Sequence, residues 1–214
     1  MTIRGIIFDL DGTLADTLPI CIQAYKQAFE QLSGRPYTDE EVTRYFGATE
    51  EGIFQKVLPD QWREGLQLYY DTYAQLQAAC PEPFPGIKDT LKLLKERGVA
   101  LAIVTGRGTF NTHRTLDYLG IAHFFAIVEG GDVDKVVKMH AMQRILATWG
   151  ISPQEAAYVG DTQTDMEEAR GAGVLPIGAL WADSATISLP AADGILTFES
   201  TDTFIQWIVQ NTSK

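Results

Sequence analysis

Four short apolar runs dominate this sequence: Gly5-Ile6-Ile7-Phe8, Val99 to Val104, Phe125 to Val128 and Ala156 to Val159. A helix-patterned stretch precedes each of the last three and is stopped by a glycine: Ile87 to Arg97 by Gly98, Phe110 to Leu119 by Gly120, and Val136 to Trp149 by Gly150. Apolar strands between amphipathic helices can bury both faces only in a parallel sheet with helices on either side. A helix over Thr164 to Gly171, a short strand near Ile195 to Phe198 and a helix over Thr203 to Val209 complete that pattern.

Between the first and second runs the period changes. Ile22, Tyr25, Phe29 and Leu32 recur at helical spacing behind Pro19, and Gly34 ends them. Thr38 and Glu41 form a capping-box pattern, and Trp62, Leu66, Tyr69, Tyr73 and Leu76 trace one helix face. The stiff segment Cys80-Pro81-Glu82-Pro83-Phe84-Pro85-Gly86 then returns the chain to alternation. The predicted fold is α/β: a doubly wound, Rossmann-like parallel-sheet core over residues 1–15 and 82–214, with an all-helical cap domain inserted over 16–81.

The polar residues sit where such a sheet places ligands, outside the carboxyl ends of its strands. The first run ends in Asp9-Leu10-Asp11-Gly12-Thr13, the second in Thr105-Gly106, and the last in Gly160-Asp161, with Asp165 four residues on. Side chains at i and i+2 of an extended segment point the same way, so Asp9 and Asp11 can address one target. Four carboxylates raise one another's pKa unless compensated, and Asp161 with Asp165 on a first helical turn would be a like-charge pair. A hard divalent cation relieves both, and a carboxylate-rich set with open positions suits Mg²⁺ completed by a substrate phosphate.

The order and content of these motifs resemble the haloacid dehalogenase-like superfamily. The helical insertion, the Phe84-Pro85-Gly86-Ile87 stretch and the segment from Val159 to Gly173 are similar to its phosphoglycolate phosphatase / β-phosphoglucomutase branch. The resemblance implies that Asp9 is a nucleophile forming an aspartyl-phosphate, and that Asp11 is the acid and base that serves the leaving oxygen and then water. Asp9, the Asp11 carbonyl and Asp161 would hold Mg²⁺, with Asp165 orienting that shell, while Thr105 and the Gly106 amide would bind phosphate. It further implies a lysine, for which the helix frame favours Lys138 over Lys135. The expected activity is hydrolysis of a small phosphomonoester, phosphoglycolate-like or sugar-phosphate-like. A sugar phosphomutase is the alternative, and a non-enzymatic phosphoacceptor regulator a more distant one.

Other features are read more plainly. Thr105-Gly106-Arg107 stands where the resembling family often has Thr-Asn, and Arg107 is expected as a solvated loop arginine, with contact to substrate as the alternative. His113, His123 and His140 lack ligand spacing, and Trp181 and Trp207 are expected to pack. Arg35, Tyr37, Arg44, Tyr45, Phe46, Gly47 and Thr49 are the candidate substrate contacts from the helical insertion. A net charge of −11 with scattered basic residues argues against nucleic-acid partners. Two distant cysteines fit a reduced compartment, and no run approaches the roughly 20 apolar residues that a membrane helix needs. A cytoplasmic monomer or homodimer acting on a small phosphorylated metabolite is the expected setting.

Overall fold

The computed structural model describes residues 2–134, 137–187 and 195–213. Strand β1 (Gly5–Phe8) leads into four helices, α1 (Leu18–Ser33), α2 (Asp39–Thr43), α3 (Glu50–Val57) and α4 (Trp62–Leu76). Helices and strands then alternate: α5 (Ile87–Glu96), β2 (Ala100–Val104), α6 (Thr109–Tyr118), β3 (Ile127–Glu129), α7 (Lys138–Trp149), β4 (Ala156–Gly160), α8 (Gln163–Ala172), β5 (Leu175–Ala179), β6 (Leu196–Phe198) and α9 (Thr201–Asn211).

The six strands form one parallel sheet in the order β3-β2-β1-β4-β5-β6. The chain moves outward from β1 on one side, then crosses to β4 on the other, so the switch in strand order lies at β1. That is where a crevice opens at the carboxyl ends of the strands.

Strand alternation divides the core. Ile6 and Phe8 belong to the cluster that contains Leu91, Leu94, Phe204 and Ile208. Ile7 faces the other way, with Ala141, Met142 and Ile145 of α7 and Ala169 of α8. Both faces are therefore dry, which explains why the strand runs are uniformly apolar. Phe8 and Phe204 meet edge-on at 6.3–6.4 Å together with Phe125, anchoring the inner end of β1.

Strand β5 is the element that the sequence pattern does not reveal. Leu175-Pro176-Ile177-Gly178-Ala179 carries two residues that weaken strands. Pairing with β6 begins only at Ile177, so Pro176 lies outside that ladder. Gly178 is needed for closeness, because a Cβ there would press on Ile187 and Thr197.

In the helical unit, α1 packs along α4. The buried stripe of α1 is Ile20, Cys21, Ala24, Tyr25, Ala28 and Phe29, while Ile22 and Leu32 are only half-buried. The small residues Cys21, Ala24 and Ala28 shift the stripe from the one that large apolar residues alone predict. They also let Tyr25 reach Tyr69 of α4 at 4.4 Å between ring centroids. Thr38 forms the capping box with Glu41 as expected. Where the chain comes back from the helices, the Phe84 N–H donates to the Leu14 carbonyl at 2.9 Å. The departing and returning segments are thus joined. Among the described residues no helix is long and apolar enough to cross a membrane.

Candidate active site

Strand β1 delivers Asp9 and Asp11 to the crevice through a turn that requires glycine. Gly12 has φ +74°, and a Cβ on it would overlap the Asp161 carboxylate, so only glycine lets the two segments approach. The Asp9 N–H extends the ladder, donating to the Val159 carbonyl at 2.9 Å. Thr13, fully buried, donates its hydroxyl to Asp161 Oδ1 at 3.2 Å. The Trp181 indole N–H in turn donates to the Thr13 carbonyl at 2.9 Å, so Trp181 braces this turn as well as packing on Phe204.

Asp161 directly follows β4, and Thr162 is the N-cap of α8. Asp161 therefore stands just before the helix and not on its first turn. Asp165 is the third helical residue and closes a capping box: its Oδ2 accepts from the Thr162 N–H at 3.1 Å and from the Thr162 hydroxyl at 2.6 Å. Its Oδ1 lies 2.6 Å from Lys138 Nζ and 3.1 Å from the Tyr158 hydroxyl. Both oxygens of Asp165 are thus engaged within the protein.

One oxygen each from Asp9, Asp161 and Asp165 can be found within 4.8 Å of the others, all buried. Lys138, the first residue of α7, approaches Asp9 Oδ1 at 3.2 Å, although off the hydrogen-bonding direction. Asp9 Oδ1 and Asp161 Oδ2 are buried without a hydrogen bond among the described residues. Hard carboxylate oxygens without a hydrogen bond, drawn from a buried three-aspartate group, fit a divalent cation. Lys135 lies outside the described residues.

Charge is distributed unevenly over this cluster. Burial lifts Asp9 to about 7, reinforced by the charges of Asp165 and Asp11, although Lys138 pulls it down. Burial, then the charges of Asp9 and Asp165, lift Asp161 to about 8. Burial also disfavours the charge of Asp165, but Lys138 and the Thr162 donors outweigh it and hold its carboxyl below the usual range. Burial opposes the charge of Lys138 too, and the two flanking aspartates more than compensate, raising it.

Asp11 is not part of the three-carboxylate group. Its Oδ1 accepts from Arg107 Nη1 at 3.1 Å, from the Thr17 hydroxyl and from the Cys21 thiol at 3.7 Å. The expectation for Arg107 is therefore corrected. It is only 7% exposed, stacks its guanidinium on the Tyr73 ring at 4.6 Å and lies 3.5 Å from Glu50. Helices α3 and α4 close over its loop and supply both partners, which local sequence around Arg107 does not disclose.

Thr105 and Gly106 follow β2 and line the same cavity as Asp9, Asp11, Lys138, Asp161 and Asp165, with a volume of about 370 Å³. The Thr105 hydroxyl accepts from the Arg107 N–H at 3.3 Å, which shapes that loop. Of the residues expected from the helical insertion, Phe46 and Gly47 line the cavity. Arg44 instead pairs with Glu40 on the surface, and Arg35 lies over Tyr37 and pairs with Glu41. Tyr37 packs on Phe29, Tyr45 lies beneath Lys56, and Thr49 caps α3. Glu50, which the motif reading omits, is 2% exposed and reaches the core, accepting from the Gly108 N–H at 2.6 Å and Asn111 Nδ2 at 3.4 Å. An acidic residue in the first turn of α3 looks like ordinary helix-dipole compensation, so the sequence offers no signal for it. His113, His123 and His140 are absent from the cavity lining.

Comparison with known proteins agrees with this geometry. The family model described as haloacid dehalogenase-like hydrolase matches residues 6–179. A phosphoglycolate phosphatase of Aquifex aeolicus is 32% identical over 181 residues, covering 83% of this chain and 85% of that protein. Among solved structures, a haloacid dehalogenase-like hydrolase of Streptococcus pneumoniae aligns with a TM-score of 0.76 at 26% identity, covering 96% of this chain and 98% of that one. CbbY of Rhodobacter sphaeroides, solved with phosphate, has the same fold: TM-score 0.78 at 21% identity, covering 94% and 95%.

Proposed function

The chain belongs to the haloacid dehalogenase-like hydrolase family, in the phosphatase branch that its relatives occupy, and from that premise we propose that it hydrolyses a small phosphomonoester with Mg²⁺. The observation that carries the reading is the buried convergence of Asp9, Asp161, Asp165 and Lys138 in one cavity with Asp11 and the Thr105-Gly106 loop. We take residues 16–81 as a cap that excludes water and holds the alcohol portion of the substrate.

Asp9 and Asp161 offer the free oxygens that would hold the cation, together with the Asp11 carbonyl, and Asp165 fixes their surroundings through Lys138 and Thr162. Bound there, Mg²⁺ supplies positive charge where negative charge develops on the transferring group. An Asp9 oxygen attacks phosphorus as the P–O ester bond breaks, giving an aspartyl-phosphate. Asp11 passes its proton to the departing alkoxide, which leaves as the alcohol. Asp11, now a carboxylate, takes a proton from the water that attacks the phosphorus. Inorganic phosphate departs and Asp9 is restored. Lys138 keeps Asp9 oriented toward phosphorus, and the Gly106 N–H and Thr105 hydroxyl donate to phosphoryl oxygens. The reading is tested by phosphate release from a panel of phosphomonoesters: turnover is expected with Mg²⁺ and is expected to vanish with excess chelator. Undiminished release under chelation would refute it.

Cation binding should also show in stability. In the metal-free protein Asp9 and Asp161 keep protons up to about pH 7 and 8, whereas in the unfolded chain they lose them near their ordinary value of 3.8. Across that window the native state binds more protons, so stability declines as pH rises from about 4 to about 8. Asp165 does not offset the decline, since its lowered pKa contributes fully above 3.8. Mg²⁺ binds the ionised carboxylates, so its stabilisation is expected to be larger at pH 8 than at pH 5, read as the rise in Tm on adding MgCl₂. An equal rise at both pH values would count against these acids as the ligands.

A further inference from the structure

The charged side chains of the cavity fall into two sets. At the phosphoryl end, Lys138 lies between Asp9 and Asp165, at 3.2 and 2.6 Å. At the opposite end, under the helices, Arg107 lies between Asp11 and Glu50, at 3.1 and 3.5 Å. Among the described residues lining the cavity these are the two cations, and each already faces two carboxylates.

The helical unit lines the cavity mainly with apolar and aromatic side chains, among them Leu18, Cys21, Tyr25, Phe46, Ile53 and Tyr69. Glu50 cannot swing away to make room for an anion. Its carboxylate is 2% exposed and is held by the Gly108 N–H and by Asn111, and a Cβ on Gly108 would press on its Oε2. Arg107 is similarly fixed, by Asp11, by the Tyr73 hydroxyl at 3.2 Å and by the Tyr73 ring. Its Nε and Nη2 are buried without a hydrogen bond among the described residues. Nε keeps the Glu50 carboxylate as its counter-charge at 3.5 Å, Nη1 is engaged by Asp11 and Tyr73, and Nε and Nη2 are closed to water, so the guanidinium is already committed within the protein. A leaving group that enters this end therefore meets the fixed charge of Glu50.

We propose that this end of the cavity selects an uncharged leaving group, an alcohol with an apolar face, and that Glu50 is the residue that discriminates against a carboxylate there. A carboxylate there would face the fixed charge of Glu50, whose counter-ion Arg107 is already committed to it, in surroundings that water screens poorly. A hydroxyl carries no charge and escapes that repulsion. The inference rests on the hydrolase reading above and narrows it: the preferred esters are those of neutral polyols or related alcohols, and phosphorylated hydroxy acids are poor substrates.

The test compares two esters of like size, 2-hydroxyethyl phosphate and phosphoglycolate, which differ in carrying a hydroxymethyl group or a carboxylate. With Mg²⁺ present, kcat/KM from phosphate release is expected to be at least about tenfold higher for 2-hydroxyethyl phosphate. In Glu50→Gln, which removes the charge and keeps an acceptor for the Gly108 N–H, the ratio is expected to move toward phosphoglycolate by about tenfold. Should that variant not fold, the wild-type ratio decides alone. Phosphoglycolate equal or ahead in the wild type overturns the inference and leaves the hydrolase reading standing. An unchanged ratio in folded Glu50→Gln overturns the part assigned to Glu50. Release of phosphate from neither ester nor from p-nitrophenyl phosphate overturns both readings together.

Discussion

Asp9→Asn is expected to lower phosphate release by about 10⁴-fold or more while the protein stays folded. The amide has nearly the shape of the carboxylate but lacks the nucleophilic oxygen, so no covalent step remains open. Loss by unfolding can be separated from loss of chemistry, because Asp9 is a residue whose ionisation the fold resists. Burial and the neighbouring acids lift it to about 7, so a neutral side chain there removes a cost that the native state carries at pH 8. The metal-free variant is therefore expected to melt no lower than the metal-free wild type at that pH. Phosphate release at saturating Mg²⁺ and a circular dichroism melt make the two measurements. Turnover near wild-type level would exclude Asp9 as the group that attacks phosphorus.

Lys138→Met should have the opposite signature, damaging fold and chemistry together. The ammonium lies 2.6 Å from Asp165 and 3.2 Å from Asp9, and its side chain is 12% exposed. Removing it leaves two buried carboxylates facing each other without their cation. Breaking a buried ion pair from one side costs about 3–5 kcal/mol. Asp9 can relieve part of that by holding a proton, which it does below about pH 7. The loss should accordingly be larger at pH 8 than at pH 5, as measured by urea unfolding of the metal-free protein at each pH. Activity is expected to fall by about 10²- to 10³-fold, since the charge that orients Asp9 and faces the transferring group is gone. A folded Lys138→Met protein with wild-type stability and turnover would remove Lys138 from the site.

The two variants also bear on how the site could be found in the sequence. Asp9, Asp11, Thr105, Asp161 and Asp165 each follow an apolar run by a residue or a few, and a parallel sheet sends all such positions to one edge. That inference uses short-range pattern alone, and the four apolar runs lie on β1, β2, β3 and β4 with shifts of one or two residues at their ends. Lys138 had a helix frame to recommend it, and its placement between Asp9 and Asp165 follows from where α7 begins. Strand β5 carried the wrong local residues, since Pro176 and Gly178 argue against a strand until neighbours on both sides impose one. Glu50 carried no local signal, and Arg107 only its place directly behind Thr105-Gly106. A glycine-flanked arginine reads as solvent-facing, and a glutamate at the start of α3 reads as ordinary helix capping.

Taken alone, then, the order of amino acids determined the alternation of strands and helices, the glycine turn behind Asp9, and the edge of the sheet where the acids gather. All of these depend on residues within a few positions of one another and on the two periods of regular backbone. Tertiary structure decided which charges meet and how far each is removed from water. Coulombic and desolvation energies depend on distance and burial, and those exist only once α3 and α4 have closed over the loop that carries Arg107.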